Sequence, residues 1–206
     1  MSSPLRSLVP SLDSAVLEVL SRSESGFGPT QVARLAGRGS RAGIQLVLDR
    51  LAEHGLVLAE PTNRGSMYRL NRDHLLTPAV LAAVAVRREL LTRLTAAVRA
   101  LDPQPVHASV FGSFARGDGD QDSDIDLFLL TEAELAADPG WERQLRQLED
   151  DVHGWTGNRL ELVLLDRHGL GDAVRRGEAL VAELRTDAVV LLGPDIAKLT
   201  AGTTER

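Results

Sequence analysis

A short acidic stretch of the sequence combines a glycine–serine pair with two closely spaced aspartates. Gly112 and Ser113 follow the apolar run at residues 106–111, and ten residues later Asp124 and Asp126 open a second apolar run. A glycine directly after a strand lets backbone amides approach a phosphate closely, and the adjacent serine hydroxyl can donate to a phosphate oxygen. The pair therefore predicts a phosphate-binding turn.

The two aspartates have the spacing of ligands for a divalent cation. Side chains alternate along a strand, so Asp124 and Asp126 should share one face while Ile125 and Leu127 face the core. Two carboxylates this close repel each other unless a cation lies between them, and carboxylate oxygens are ligands that Mg²⁺ prefers. The spacing therefore predicts a site for Mg²⁺ or Mn²⁺.

The loop between the two motifs holds further charges. Asp118, Asp120 and Asp122 lie close together in a polar stretch, where acidic side chains are usually solvated. Arg116 can either contact a phosphate or balance the acidic charge of the loop, and we include it with the phosphate-binding residues Gly112 and Ser113.

Gly-Ser, ten residues and then Asp-x-Asp resembles the signature of the DNA polymerase β-like nucleotidyltransferases, particularly the small bacterial minimal nucleotidyltransferases. The resemblance implies Mg²⁺-dependent transfer of a nucleoside monophosphate from a nucleoside triphosphate, such as ATP, to a hydroxyl group of a protein, an RNA or a small molecule. Family members carry a third acidic residue on a following strand. Glu161, the one charge in the apolar run 160–165, is our candidate, so Asp124, Asp126 and Glu161 form the expected catalytic and metal-binding set. A glutamate there should be costly to bury without a partner or a cation, which favours a role in a site.

The elements that must position these residues alternate between strand and helix, which is an α/β pattern. The predicted strands are residues 106–111, 125–130, 160–165 and 188–192, with a helix at 131–153 and a long connecting helix at 78–101. The resemblance implies the α/β (α+β) nucleotidyltransferase fold with a small mixed sheet. We expect this domain at residues 103–206, after a connecting helix at residues 76–102.

The N-terminal part predicts three helices and a hairpin. Apolar positions recur at helical spacing from Leu12, Thr30 can cap a short helix with Val32 and Leu35 inward, and Ser40 can cap a longer one. Two strand-like runs, 56–59 and 66–70, flank a turn at 61–65. Over roughly residues 10–72 this pattern resembles the winged helix-turn-helix domain, which we place at residues 1–75 as a mainly α domain.

In the winged-helix family the second helix of the pair enters the DNA major groove and the wing touches the DNA backbone. The resemblance implicates five residues in DNA binding: Arg38, Ser40, Arg41, Gln45 and Arg64. Winged helices also serve as protein docking or dimerisation modules, and residues 1–75 hold nine arginines against seven acids, a weak attraction for phosphates. Both interpretations stay open.

Composition limits the remaining classes. With 43% hydrophobic residues the chain can bury a core, and 3% aromatic residues disfavour an all-β sandwich. The absence of cysteine excludes disulfides, thiolate metal sites and cysteine nucleophiles. We expect a cytoplasmic protein without membrane insertion, because the start of the chain does not resemble a signal peptide and the longest apolar run, 78–86, is too short to span a bilayer.

Two functions from different classes fit these observations. The first is the nucleotidyltransferase, whose family resemblance also implies an antitoxin-like role beside a toxin partner. The resemblance to winged helices, which often pair through a long flanking helix, implies a homodimer formed through the helix at residues 81–101. The alternative is a DNA-binding transcriptional regulator whose nucleotidyltransferase domain senses nucleotides or is inactive. Retention of Ser113, Asp124, Asp126 and Glu161 favours the first, because an inactive domain is expected to lose its metal ligands.

Overall fold

The computed structural model describes residues 4–63, 65–117, 123–132 and 138–201. The chain divides into two compact units, one formed by Ser3–Arg87 and the other mainly by Arg88–Arg206. No helix in the described ranges is both long and apolar enough to cross a membrane.

The N-terminal unit consists of short helices followed by a β-hairpin. Its elements are α1 (Pro4–Leu8), α2 (Leu12–Ser21), α3 (Pro29–Ala36), α4 (Arg41–Glu53), β1 (Val57–Thr62), β2 (Gly65–Leu70) and the start of α5 (Thr77–Arg99). The Ser40 hydroxyl accepts from the amide of Gly43 at 3.1 Å, which caps α4 as the sequence predicts. The predicted helices and hairpin are present, and their assignment to the winged helix-turn-helix domain remains a prediction.

The hairpin pairs β1 and β2 antiparallel, from Val57 opposite Leu70 to Thr62 opposite Gly65. Phe27 forms an isolated bridge with Tyr68 of β2, so the hairpin is joined to the segment before α3. One inward position was wrong: Leu35 is 39% exposed, because the buried face of α3 runs through Val32, Ala33 and Ala36 and Leu35 lies beside that face.

The C-terminal unit is a mixed α/β structure around one small sheet. The strands are β3 (His107–Phe111), β4 (Ile125–Thr131), β5 (Leu160–Asp166) and β6 (Val189–Leu192), in the order β5-β4-β3-β6. β4 and β5 are parallel, whereas β3 is antiparallel to both of its neighbours. The predicted small mixed sheet is therefore confirmed.

Helices cover both faces of this sheet: the end of α5, α6 (Gly112–Arg116), α7 (Pro139–Thr156), α8 (Arg167–Arg176), α9 (Ala179–Asp187) and α10 (Ile196–Ala201). Successive residues of β4 alternate between two clusters. Ile125, Leu127 and Leu129 pack with α5 and α7, whereas Phe128 and Leu130 pack with residues of α8, α9 and α10. β4 is therefore the buried centre of the unit.

Two predicted boundaries in this unit were wrong. The helix expected to begin at residue 131 begins at Pro139, because Thr131 still pairs with Asp166 as the last residue of β4. The Asp138 carboxylate caps α7 by accepting from the amides of Gly140 and Trp141. The stretch after β3, expected to be a loop, begins with the short helix α6.

Candidate active site

Gly112 and Asp126 meet where β3 ends and β4 begins. Phe111, the last residue of β3, pairs with Asp126 in the sheet register, and Gly112 then turns with a φ of 67°. A β-carbon at position 112 would overlap the Asp126 carboxylate. The glycine therefore does more than permit close approach of a phosphate, because it also makes room for the aspartate.

Asp126 lies beside Glu161 across the parallel β4–β5 pair, where the two residues are in register. Its neighbours Ile125 and Leu127 are fully buried, so the inward positions predicted for these two residues are confirmed. Asp126 itself is half-buried, and Asp124 is exposed immediately before β4. The sheet thus brings the three predicted acidic residues to the same end of β4 and β5.

Glu161 is exposed, so the burial penalty that favoured a role in a site does not apply to it. β5 is an edge strand of the sheet, and an edge strand leaves one flank open to solvent. The case for Glu161 therefore rests on its register with Asp126 and not on a burial penalty.

Mutual repulsion of acidic groups marks this end of the sheet. The pKa of Asp126 is raised, first because burial disfavours the charged carboxylate, and then because Glu161 and Asp124 repel that charge. Glu183 of α9 adds to the repulsion, and Arg116 partly offsets it. Such a negative field attracts a cation.

The donor chemistry of Asp124, Asp126 and Glu161 fits Mg²⁺ or Mn²⁺, because these ions prefer carboxylate oxygens. Across the part of the chain that the structure describes, however, no three His, Asp or Glu side chains form a closed ligand set. Asp124 and Glu161 are both exposed, so their side chains keep a choice of rotamers. The residues fit the cation in type and in strand position.

Ser113 follows Gly112 in α6, a helix of five residues that begins without a side-chain cap. Phe114 anchors α6 because its ring is only 1% exposed. Gly117 ends α6 and donates to the carbonyl oxygen of Ser113 at 3.0 Å. The start of α6 at Gly112 therefore lies against the Asp126 carboxylate, and Ser113 is the next residue in the chain.

Arg116 is bound to an acidic residue of α9. Its Nη1 donates to Oδ2 of Asp187 at 2.9 Å, and the Asp187 side chain is only 18% exposed. This ion pair fastens α6 to α9, and Glu183 lies one helical turn before Asp187. The predicted contact between Arg116 and a phosphate remains a prediction, whereas its ion pair with Asp187 of α9 is observed.

Sequence reasoning missed Glu183 and Asn158. Asn158 is 8% exposed, and its Nδ2 donates to the carbonyl of Ser123 at 3.0 Å, which holds the residue just before Asp124. The backbone amide of Ile125 donates to the carbonyl of Arg159 at 2.9 Å and reinforces this hold. No local pattern reveals such a role, because the asparagine and its backbone acceptor are 35 residues apart.

Some of the candidate DNA-binding side chains already form hydrogen bonds within the protein, whereas another is exposed. Arg38 donates to the carbonyl of Ser11 at 3.0 Å and to the hydroxyl of Ser14 at 2.5 Å, and Ser40 caps α4. Gln45 donates to the Tyr68 hydroxyl and to Asp49, both at 2.8 Å, while Arg41 is exposed. Arg64 and the loop acids Asp118, Asp120 and Asp122 lie outside the described residues.

The match to a protein-family model lies in the C-terminal unit. Residues 91–170 match the family model of the nucleotidyltransferase domain, a range that includes Gly112, Asp126 and Glu161. The search of curated proteins gives no significant match.

Two solved structures show a limited likeness. A crystal structure of a toxin–antitoxin with AMP-PNP has 19% identity and a TM-score of 0.40, covering 55% of this chain and 83% of that chain. A mutant of the toxin–antitoxin MntA-HpeT has 18% identity, the same TM-score of 0.40 and the same coverage of 55% and 83%. At this TM-score the likeness carries no weight for function.

Proposed function

We propose that the C-terminal unit transfers a nucleoside monophosphate from a nucleoside triphosphate to a hydroxyl group, with Mg²⁺ or Mn²⁺ held by Asp124, Asp126 and Glu161. The observation that carries the proposal is the packing of the Asp126 carboxylate onto Gly112, in register with Glu161. A turn suited to phosphate and a set of repelling carboxylates thereby occupy one end of the sheet. The match of residues 91–170 to the nucleotidyltransferase domain supports the same reaction class.

In the proposed mechanism the chain orients the triphosphate and removes the proton of the acceptor hydroxyl. The Ser113 hydroxyl and the first amides of α6 bind the β- and γ-phosphates, and Arg116 holds α6 in place through Asp187. The acceptor oxygen forms a bond to the α-phosphorus, the bond to the bridging oxygen breaks, and pyrophosphate leaves. Glu161 takes the hydroxyl proton, since its carboxylate is exposed beside Asp126. A divalent cation, when bound, stabilises negative charge on the phosphate oxygens.

The test incubates the full chain with α-labelled ATP, GTP, CTP or UTP, with and without Mg²⁺, and with cell lysate as the source of acceptor. We expect label on a protein, an RNA or a small molecule for the wild type and for Asp150→Asn, an exposed acid of α7 outside the site. Asp124→Asn should abolish the transfer. An antitoxin-like role rests on the family resemblance, and a single labelled toxin protein would support it.

Two results would contradict the proposal that the C-terminal unit is a nucleotidyltransferase. Equal labelling by wild type and Asp124→Asn would place the activity elsewhere. Absence of labelling under every condition, together with Mg²⁺-dependent nucleotide binding in calorimetry, would favour the alternative of a nucleotide-sensing regulator.

For the N-terminal unit we propose a winged helix-turn-helix module that recognises DNA. Three successive helices and a hairpin joined to them through Phe27 and Tyr68 support the proposal. Arg41 is its best-placed contact, because it is exposed at the start of α4 while Arg38 and Gln45 are engaged by other side chains. Binding to a labelled random-sequence duplex should weaken in Arg41→Ala and not in Arg22→Ala. Duplex binding that is equal in wild type and Arg41→Ala would leave the protein-docking interpretation.

A further inference from the structure

A groove runs between the C-terminal half of α5 and the edge strand β6, within the C-terminal unit. Its volume is about 470 Å³. Arg88, Thr92, Thr95 and Arg99 line one wall, at positions that recur along one side of α5, and Val189–Leu191 form the other. None of these residues belongs to the site described above.

Two positively charged side chains, Arg88 and Arg99, lie at the two ends of this groove. Arg88 and Arg99 are exposed, and in the described ranges neither guanidinium has an ion-pair partner. Arg93 on the same helix is different, since it pairs with Glu89 at 2.9 Å. Eleven residues of helix separate Arg88 and Arg99 by about 16 Å, so the groove presents two separated positive charges.

Between the two arginines the groove offers mostly apolar surface. The Thr92 hydroxyl donates to the carbonyl of Arg88 at 3.1 Å, and the Thr95 hydroxyl donates to the carbonyl of Leu91 at 2.8 Å. These hydroxyl protons are already used within α5. In β6, Val190 is 39% exposed and adds apolar surface beside the groove.

β6 also has an unpaired edge. In the described part of the chain it pairs with β3 on one side, and no other strand adjoins it. An edge strand presents backbone amides and carbonyls that can pair with an added strand. An extended peptide on this edge would satisfy those groups and cover Val190.

We propose that this groove binds an extended acidic segment of a partner protein, which adds to β6 and pairs its carboxylates with Arg88 and Arg99. Acidic residues four apart share one face of a strand and are about 13 Å apart, within reach of two long arginine side chains. Small or β-branched residues between them suit the apolar middle of the groove. A nucleic acid fits less well, because the open strand edge and Val190 would meet no matching groups on a phosphate backbone.

The test measures binding of a fluorescein-labelled peptide, Gly-Asp-Val-Thr-Val-Asp-Gly, to the full chain by fluorescence anisotropy. We expect saturable binding that weakens with added salt, and weakens at least tenfold in the double variant Arg88→Glu, Arg99→Glu. Arg146→Glu is the matched control: this exposed arginine of α7 pairs with Glu142, one turn away, and its replacement should leave binding unchanged. A peptide with lysines in place of the aspartates should not bind.

A second measurement does not depend on the variants folding. In wild-type protein with labelled valine and leucine methyl groups, the peptide should shift the signals of Val189, Val190 and Leu91, and those of Val152 and Leu148 should not move. Failure of the peptide to bind, or equal binding by the double variant, would overturn the proposal. Binding of a single-stranded oligonucleotide in place of the peptide, or a dimer that the double variant dissociates, would also overturn it in favour of another occupant.

Discussion

The Asp126 carboxylate occupies the space that a side chain at Gly112 would fill. We therefore expect Gly112→Ala to lower the free energy of unfolding and to reduce nucleotidyl transfer by at least ~100-fold, since several kcal/mol of transition-state stabilisation would depend on the proposed metal ligands. Urea unfolding and the labelling assay would measure the two effects.

Gly117→Ala is the matched control for this substitution. Gly117 also has a positive φ, 81°, but no atom of the described residues lies within 4 Å of where its β-carbon would be. Gly117→Ala should lower the free energy of unfolding by about 1 kcal/mol through backbone strain. It should reduce nucleotidyl transfer only slightly. In Gly112→Ala the additional loss of stability should largely disappear when Asp126→Ala is added, while activity should stay absent. Equal losses for Gly112→Ala and Gly117→Ala would contradict the assigned contact.

The second prediction concerns the sign of the pH dependence at Asp126. Its pKa is raised by burial and by neighbouring acids, so the folded protein holds this proton more tightly than the unfolded chain. The contribution of protonated Asp126 to the free energy of unfolding is complete below the pKa that the residue has in the unfolded chain. It is lost as pH rises through the pKa that the residue has in the folded protein. We expect Asp126→Asn to be more stable than the wild type at pH 7 in EDTA while losing activity at least ~100-fold. Urea unfolding from pH 3 to pH 8 would test this, and a less stable Asp126→Asn would refute it.

His107 should give a pH dependence of the opposite sign. Its Nδ1 donates to the carbonyl of Pro194 at 2.8 Å, and its Nε2 accepts from the hydroxyl of Ser109 at 2.9 Å. Burial lowers the pKa of His107, while the Pro194 carbonyl and the charge of Asp195 partly offset that effect. The unfolded chain therefore takes up the proton first, and stability falls as pH drops below about 6.5.

For each unit by which the pKa of His107 is lower in the folded protein than in the unfolded chain, protonation lowers the free energy of unfolding by about 1.4 kcal/mol. Urea unfolding between pH 5 and pH 8 would measure how the free energy of unfolding changes with pH. This change should be smaller in His107→Gln than in the wild type. His153→Gln, at an exposed histidine of α7, should keep the wild-type profile. If both variants keep the wild-type profile, then His107 does not carry the effect.

The fourth prediction separates two roles of Arg116. If this residue mainly fastens α6 to α9, Asp187→Asn and Arg116→Ala should raise the KM for the triphosphate by similar factors of about 3–10 and change kcat less. Steady-state kinetics would measure both constants. A much larger effect of Arg116→Ala would show direct contact with phosphate. Arg146→Ala breaks the exposed Arg146–Glu142 pair, and it should cost only about 0.2–1 kcal/mol of stability and leave KM unchanged.

The sequence was sufficient to predict the elements whose periodicity is strong. The strands at Ile125–Thr131 and Leu160–Asp166 were placed within one residue, because each apolar run is interrupted by a single acidic residue only. The cap of α4 at Ser40 followed from the preference of serine for that position. Local chemistry decided these features.

Features that depend on distant contacts were not predictable in this way. α6 is only five residues long and is held by the buried Phe114 and by the Arg116–Asp187 pair, so no periodicity announces it. The exposure of Glu161 depends on the order of the strands, which places β5 at an edge. Glu183 adds to the repulsion that raises the pKa of Asp126 only because α9 packs beside α6.

The boundary between the two compact units falls inside α5, at Arg87 and Arg88. Leu90, Leu94 and Val98, all in the second half of this helix, belong to the core that also contains Ile125 and Leu127. A shortened polypeptide beginning at residue 103 would lack those side chains and expose the sheet face that they cover, so we expect it to aggregate when expressed. A fragment intended for crystallisation or for activity assays without the N-terminal unit should begin no later than Arg88.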